Sequence, residues 1–267
     1  MPDHPDTTRL LHDAKGLCRA DCYIPGGGKM SEFRFNRVLL KLSGEALKGD
    51  LEHGYKPEAI NVIVNRIKAV LDQGVEVALV VGAGNLWRGL AGSSGGMDRV
   101  KADHMGMLAT MMNAIALQEH FRMAGVSALI QSAFGVDGML PRYSAEEARK
   151  ALSSGQLVIF AGGTGNPYFT TDTASALRAV ETECDAVLKA TKVDGIYSAD
   201  PKKYPDAERF DTLSFDRALE LDLKVMDAAA FSLCRDNDLP IIVFDFAEPG
   251  ALEGVLAGDT NYGTIVS

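Results

Sequence analysis

No stretch of the 267 residues stays apolar for the roughly 18–20 positions that a bilayer crossing needs. Met1 to Asp21 is polar and mixed, without the positive-then-apolar order of a secretory signal, so a cytoplasmic protein is expected. Cysteine is scarce, with four in all. Cys18 and Cys22 have no second Cys/His pair beside them, and Cys184 and Cys234, placed in expected helices, read as buried thiols. Neither a disulfide framework nor a zinc site is expected, and no protein metal cage is assigned. Positive charge is also short: 27 Lys and Arg against 36 Asp and Glu leave a net charge of −9. The broad basic face that nucleic acid requires is therefore excluded. Small phosphorylated ligands are not excluded, because screening over about 8 Å leaves the decision to a few local cations. Two familiar phosphate-binding signatures are missing too. Nothing matches the P-loop pattern G-x-x-x-x-G-K-[ST], and Gly82-Ala83-Gly84 lacks the third glycine of a dinucleotide fingerprint.

What the chain has is a strand–helix rhythm. Residues 1–33 show no periodicity, hold Pro25-Gly26-Gly27-Gly28 and read as a flexible extension, within which Met30 could be the translation start. From there to residue 267 no linker interrupts the pattern, and one domain of two lobes is expected. Short apolar runs at 38–42, 75–81, 128–131, 156–160, 186–189, 241–244 and 264–266 read as strands, mostly parallel and buried. Helices are expected at 57–72, 98–124, 145–152, 173–183, 215–220, 228–235 and 250–256. Together they predict an α/β fold, three layers deep around a largely parallel sheet, with ligands at the carboxyl ends of the strands.

The most informative stretch runs from Gly162 to Thr173. A buried strand opens through glycines and threonines into a helix, which makes an anion cradle of backbone N–H groups and hydroxyls. Asp172 falls where a helix cap would sit, at the mouth of that cradle. Lys41, at the end of the first strand and followed by Leu42-Ser43-Gly44, can lay an ammonium group across phosphates. Gly82 to Arg88 combines small residues with an arginine whose planar fork suits phosphate. Asp103 can accept hydrogen bonds from ribose hydroxyls. The run Lys189 to Pro201, with Thr191, Tyr197 and Asp200, can clasp a purine nucleoside. Asp227 precedes a helix that it can cap, or it can orient Lys41; the sequence leaves both open.

Seven segments occur in the order found in one family: 41–47, 82–89, 103–117, 163–178, 188–201, 223–231 and 249–252. On them the chain resembles the bacterial-type uridylate kinases of the amino acid kinase superfamily. The resemblance implies transfer of a phosphoryl group from ATP to UMP in pyrimidine nucleotide synthesis, with Mg²⁺ held mainly by phosphates and water. It implies that ATP meets Lys41, Leu42, Ser43, Gly44, Gly84, Arg88, Thr191, Tyr197 and Asp200. UMP would meet Ala83, Asp103 and the run Thr164, Gly165, Asn166, Pro167, Tyr168, Phe169, Thr170 and Thr171. Lys41, Arg88, Asp172 and Asp227 form the expected catalytic set: Lys41 and Arg88 neutralise phosphate charge, Asp172 orients Lys41 or a magnesium-bound water, and Asp227 holds Lys41 in line. A homohexamer, activation by GTP and inhibition by UTP are further implications. The alternatives are a carbamate or acetylglutamate kinase-like enzyme and a non-catalytic nucleotide or oxyanion binder on the same scaffold.

Overall fold

The structure, a computed structural model, describes residues 33–87, 96–201, 203, 204 and 206–267. Cys18, Cys22, Met30 and Arg88 lie outside the described residues, as does the expected extension apart from Phe33. Eight strands form the central sheet in the order β3-β4-β2-β1-β5-β9-β10-β8. They are β1 (Arg37–Leu42), β2 (Glu76–Val81), β3 (Ala128–Ser132), β4 (Leu157–Ala161), β5 (Ala186–Thr191), β8 (Thr212–Leu213), β9 (Ile241–Asp245) and β10 (Gly263–Val266). A small hairpin pairs β6 (Ile196–Tyr197) with β7 (Arg209–Phe210). Strands β1 to β5 and β9 run parallel, whereas β10 runs antiparallel to β9 and carries β8 along with it. A short helix and a single 3₁₀ turn separate β9 from β10.

Side chains of a strand alternate between faces, and the core divides accordingly. Val38, Leu40 and Leu42 of β1 face helices α2 (Pro57–Leu71), α3 (Arg99–Met123) and α8 (Ala251–Ala257), meeting residues such as Ile60, Phe121 and Leu252. Leu39, between them, faces the opposite layer with Ala148, Ala176, Ala218 and Phe231. Those residues belong to α4 (Ala145–Ser153), α5 (Thr171–Glu181), α6 (Phe215–Glu220) and α7 (Ala228–Asp236). The expected three layers are thus present. Each fully buried leucine or isoleucine at these positions is worth about 1.5–3 kcal/mol relative to exposure.

Two boundaries differ from expectation in ways that matter. Helix α5 begins at Thr171 rather than Thr173, because Thr170 is the cap: its hydroxyl accepts from the Asp172 N–H at 3.0 Å. Asp172 therefore sits in the first helical turn. Helix α5 also ends at Glu181, so Cys184 lies in the turn beyond it rather than in a helix. Burial pushes both thiols, Cys184 and Cys234, up to about 12, which leaves them protonated and unreactive at neutral pH.

Candidate active site at the carboxyl ends of the strands

Because β1 and β5 are parallel neighbours, register decides which side chains meet. Lys41 of β1 pairs with Lys189 of β5, so both project from the same face, the one covered by α5. Asp172, in the first turn of α5, stands over them. Its Oδ1 meets the Lys41 ammonium at 2.7 Å as an ion pair. Its Oδ2 accepts from Lys189 Nζ at 2.8 Å, and Lys189 also donates to the Val225 carbonyl at 2.6 Å. Burial alone would push the Asp172 carboxyl up. The two ammonium groups outweigh it and hold the pKa below the ordinary carboxylate value. The result is one carboxylate flanked by two partly buried cations, with a net positive charge aimed at the sheet edge.

Two cavities flank this group. The first, about 150 Å³, is lined by Ala83, Trp87, Ala102, Asp103, Gly106, Met107, Thr110, Gly163, Thr164, Phe169, Thr170 and Thr171. Asp103 closes one side by accepting from Arg99 Nε at 2.8 Å and from the Tyr168 N–H at 2.8 Å, which pins the loop after β4 to the start of α3. Gly165, Asn166, Pro167 and Tyr168 shape this loop without lining the cavity. Gly165 has φ +82° with a virtual Cβ 3.2 Å from Ala133, and Thr164 Oγ accepts from the Asn166 N–H at 3.2 Å. Tyr168 holds φ +71°, unusual for a bulky residue, under an Arg99 guanidinium 5.3 Å from its ring.

The second cavity, about 500 Å³, is lined by Lys189, Thr191, Tyr197, Asp200, Lys224, Val225 and their neighbours. Tyr197 donates its hydroxyl to Asp194 at 2.8 Å, and Asp200 faces Lys203 at 3.8 Å. Leu42, Ser43, Gly44 and Gly84 do not line either cavity. Leu42 points into the core and leaves only its backbone for a ligand. Ser43 Oγ accepts from the Glu45 N–H at 3.3 Å, at the start of the short helix α1 (Glu45–Lys48).

The loops after β1 and β2 interlock. A Cβ on Gly44 would lie 2.7 Å from both the Gly84 nitrogen and Asn85 Oδ1, and closer still to the Gly82 carbonyl oxygen. Gly44→Ala is expected to cost about 1–3 kcal/mol, read as a lowered melting temperature, because the obstacle is mainly backbone. Behind the loops, fully buried Asn85 and Asn113 exchange reciprocal amide bonds at 3.0 and 2.8 Å. Asn113 also donates to the Gly82 carbonyl at 2.7 Å and Asn85 to the Gly54 carbonyl at 3.1 Å. Asn113→Ala should destabilise by about 1–3 kcal/mol for each buried group it leaves unpaired, measured by urea unfolding. An unchanged midpoint would remove the amide pair from the supports of this loop.

Of the two parts left open for Asp227, the structure shows the cap. Asp227 caps α7 by accepting from the Ala230 N–H at 2.8 Å, and it accepts the hydroxyls of Thr170 and Thr173, the latter at 2.8 Å. Among the described residues it makes no ion pair with Lys41, whose anionic partner is Asp172. Beside Lys41 stands Lys189, which the sequence reading named only as the start of the 189–201 run. Its signal was present in the alternation of β5, where Val187 and Lys189 share a face, but the pairing register supplies the rest. Among the described residues no group of three or more His, Cys, Asp or Glu side chains is gathered to hold a metal, and both Asp172 oxygens are taken by lysines.

The chain is similar to known proteins. The uridylate kinase of Paramagnetospirillum magneticum is 52% identical over 228 residues, covering 85% of this chain and 95% of that protein. The crystal structure of UMP kinase from Bacillus anthracis superposes with a TM-score of 0.84 at 35% identity, covering 87% of this chain and 96% of that one. UMP kinase from Ureaplasma parvum gives 0.82 at 39% identity, over 88% of this chain and 99% of that one. The model of the amino acid kinase family matches residues 36–245, which include both cavities and the Lys41–Asp172–Lys189 group between them. This chain therefore belongs to the amino acid kinase family.

Proposed function

We propose that the chain transfers the γ-phosphoryl group of ATP to the phosphate of UMP, giving ADP and UDP, as a step of pyrimidine nucleotide synthesis in the cytoplasm. One observation carries the reading: Asp172 joins the two cavities. Its chain neighbour Thr171 lines the first, and its partner Lys189 lines the second. A donor in the larger cavity and an acceptor in the smaller one would bring their phosphates together beside Lys41 and Lys189. Phosphoryl transfer needs little covalent help from protein, so positioning and charge stabilisation are nearly the whole task. In this reading Lys41 and Lys189 neutralise oxygens of the transferring group, while Asp172 keeps both ammonium groups aimed. Arg88 would add a further cation. No general base is needed, since the UMP phosphate is already anionic near neutral pH.

Magnesium enters with ATP as part of the substrate and lowers the charge on its phosphates. The donor set fits an ion carried by phosphate and water, because the lysines occupy the nearby carboxylate. The ATP cavity is assigned to Thr191, Tyr197 and Asp200, with Leu42, Ser43, Gly44 and Gly84 contributing backbone from the loops above. The UMP cavity is assigned to Ala83, Asp103, Thr164, Phe169, Thr170 and Thr171, with Gly165 to Tyr168 as the supporting turn. Residues 34–267 work as one domain, and the chain assembles as a homohexamer with GTP as activator and UTP as inhibitor. Light scattering reads the assembly, and a GTP titration at subsaturating UMP reads the regulation. The central test is ADP release with UMP, CMP, dUMP or acetylglutamate as acceptor. UMP should dominate; release that is independent of UMP, or greatest with acetylglutamate, overturns the assignment.

A further inference from the structure

The segment 224–227 lines the larger cavity and bonds to a residue that lines the smaller, which its position in the sequence does not reveal. Lys224 and Val225 line the larger cavity, and the Val225 carbonyl accepts from the Lys189 ammonium at 2.6 Å. Two residues on, the Asp227 carboxylate accepts the hydroxyl of Thr170, which lines the smaller cavity. Thr170 has no freedom to ignore this bond, since the same oxygen accepts from the Asp172 N–H at 3.0 Å. Asp227 therefore decides where the Thr170 hydroxyl proton goes, which leaves its lone pairs for the helix and its rotamer fixed toward α7. Thr173, one turn along, reinforces the tie at 2.8 Å.

We infer that Asp227 is a positioning residue that couples the two cavities: a donor nucleotide settling against Lys224 and Val225 tightens the acceptor site through Asp227 and Thr170. The inference rests on the assignment of ATP and UMP to these cavities. A coupling of this kind is reciprocal, so each nucleotide raises the affinity of the other by the same factor. Asp227 acts on the acceptor through Thr170 and does not touch the transferred group.

The test uses calorimetric binding of UMP to the full-length chain, with and without a saturating non-hydrolysable ATP analogue. The analogue should tighten UMP at least about fivefold in the unaltered chain, the low end of ordinary coupling. Asn is as good a helix cap as Asp, so Asp227→Asn keeps α7 capped while removing the charge that holds the threonines. It should shrink the coupling to within about twofold and raise the KM for UMP more than it lowers kcat. Thr170→Val, matched in shape, should lose the same coupling, and adding Asp227→Asn to it should change the coupling no further. If Asp227→Asn does not fold, Thr170→Val carries the measurement alone. Coupling that survives Asp227→Asn or Thr170→Val, or that is absent from the unaltered chain, overturns the inference while leaving the UMP assignment standing. An unaltered chain that binds no UMP overturns the assignment and the inference with it.

Discussion

Asp172→Asn should lower kcat for UMP-dependent ADP release by roughly 10²–10³, the cost of losing one preorganised electrostatic element. The KM for ATP should not rise with it. Removing the carboxylate makes the site more positive by one charge, and phosphate binding gains from that even as aim is lost. The split between the two parameters marks Asp172 as the group that orients Lys41 and Lys189, which it meets at 2.7 and 2.8 Å. A kcat within a few-fold of the unaltered chain, or a large rise in KM alone, would show that the lysines hold their places without it. The pH dependence of stability has a definite sign as well. The folded pKa of Asp172 lies below the ordinary value, so its stabilising contribution is complete above that value. It is lost as pH falls through the lowered one, and Asp172→Asn should flatten that acid limb.

Lys189→Ala should be as damaging as Lys41→Ala, each reducing kcat by roughly 10²–10³. The equality follows from the register: the two lysines sit opposite each other on β1 and β5 and share one carboxylate. Groups that act as a unit are strongly non-additive, so the double variant should fall far short of the product of the single losses. Single-turnover kinetics at saturating ATP and UMP would measure this. Near-normal turnover of Lys189→Ala would confine its part to the packing of β5 against α5 and the Val225 carbonyl.

How much of this was legible beforehand divides along a physical line. Lys41, Asp172 and the loop after β4 could be singled out because each signal is local: a lysine at the end of one apolar strand, small residues after another, and an acid at a helix start. Parallel α/β folds put all such ends on one edge, so the sequence order of the motifs already implied their convergence. The three layers were legible for the same reason, through the alternation within β1 and the spacing within α2. Lys189 was not, because within its own segment it is one polar residue in an apolar run. Only its distance from Lys41 across a strand pair makes it chemical. The partners of Asp227 were hidden likewise. Capping was readable from its place before α7, whereas the hydroxyls of Thr170 and Thr173 come from residues more than fifty positions earlier. The strand β10 was expected at 264–266, but its antiparallel direction was not readable, because Thr264-Ile265-Val266 carries no mark of direction.

The contact of Gly44 with the Gly82–Asn85 turn bears on how the acceptor range of such an enzyme could be altered. With no room for even a methyl group between them, the turns that follow β1 and β2 move as one piece. Enlarging the smaller cavity from the Ala83 side would drag the turn after β1 along, and libraries built there should return mostly inactive clones. Diversity introduced on α3 at Gly106, where an added Cβ would meet only Trp87 at 3.7 Å, is not bound to that pair of turns, and variants accepting bulkier monophosphates should arise from that wall.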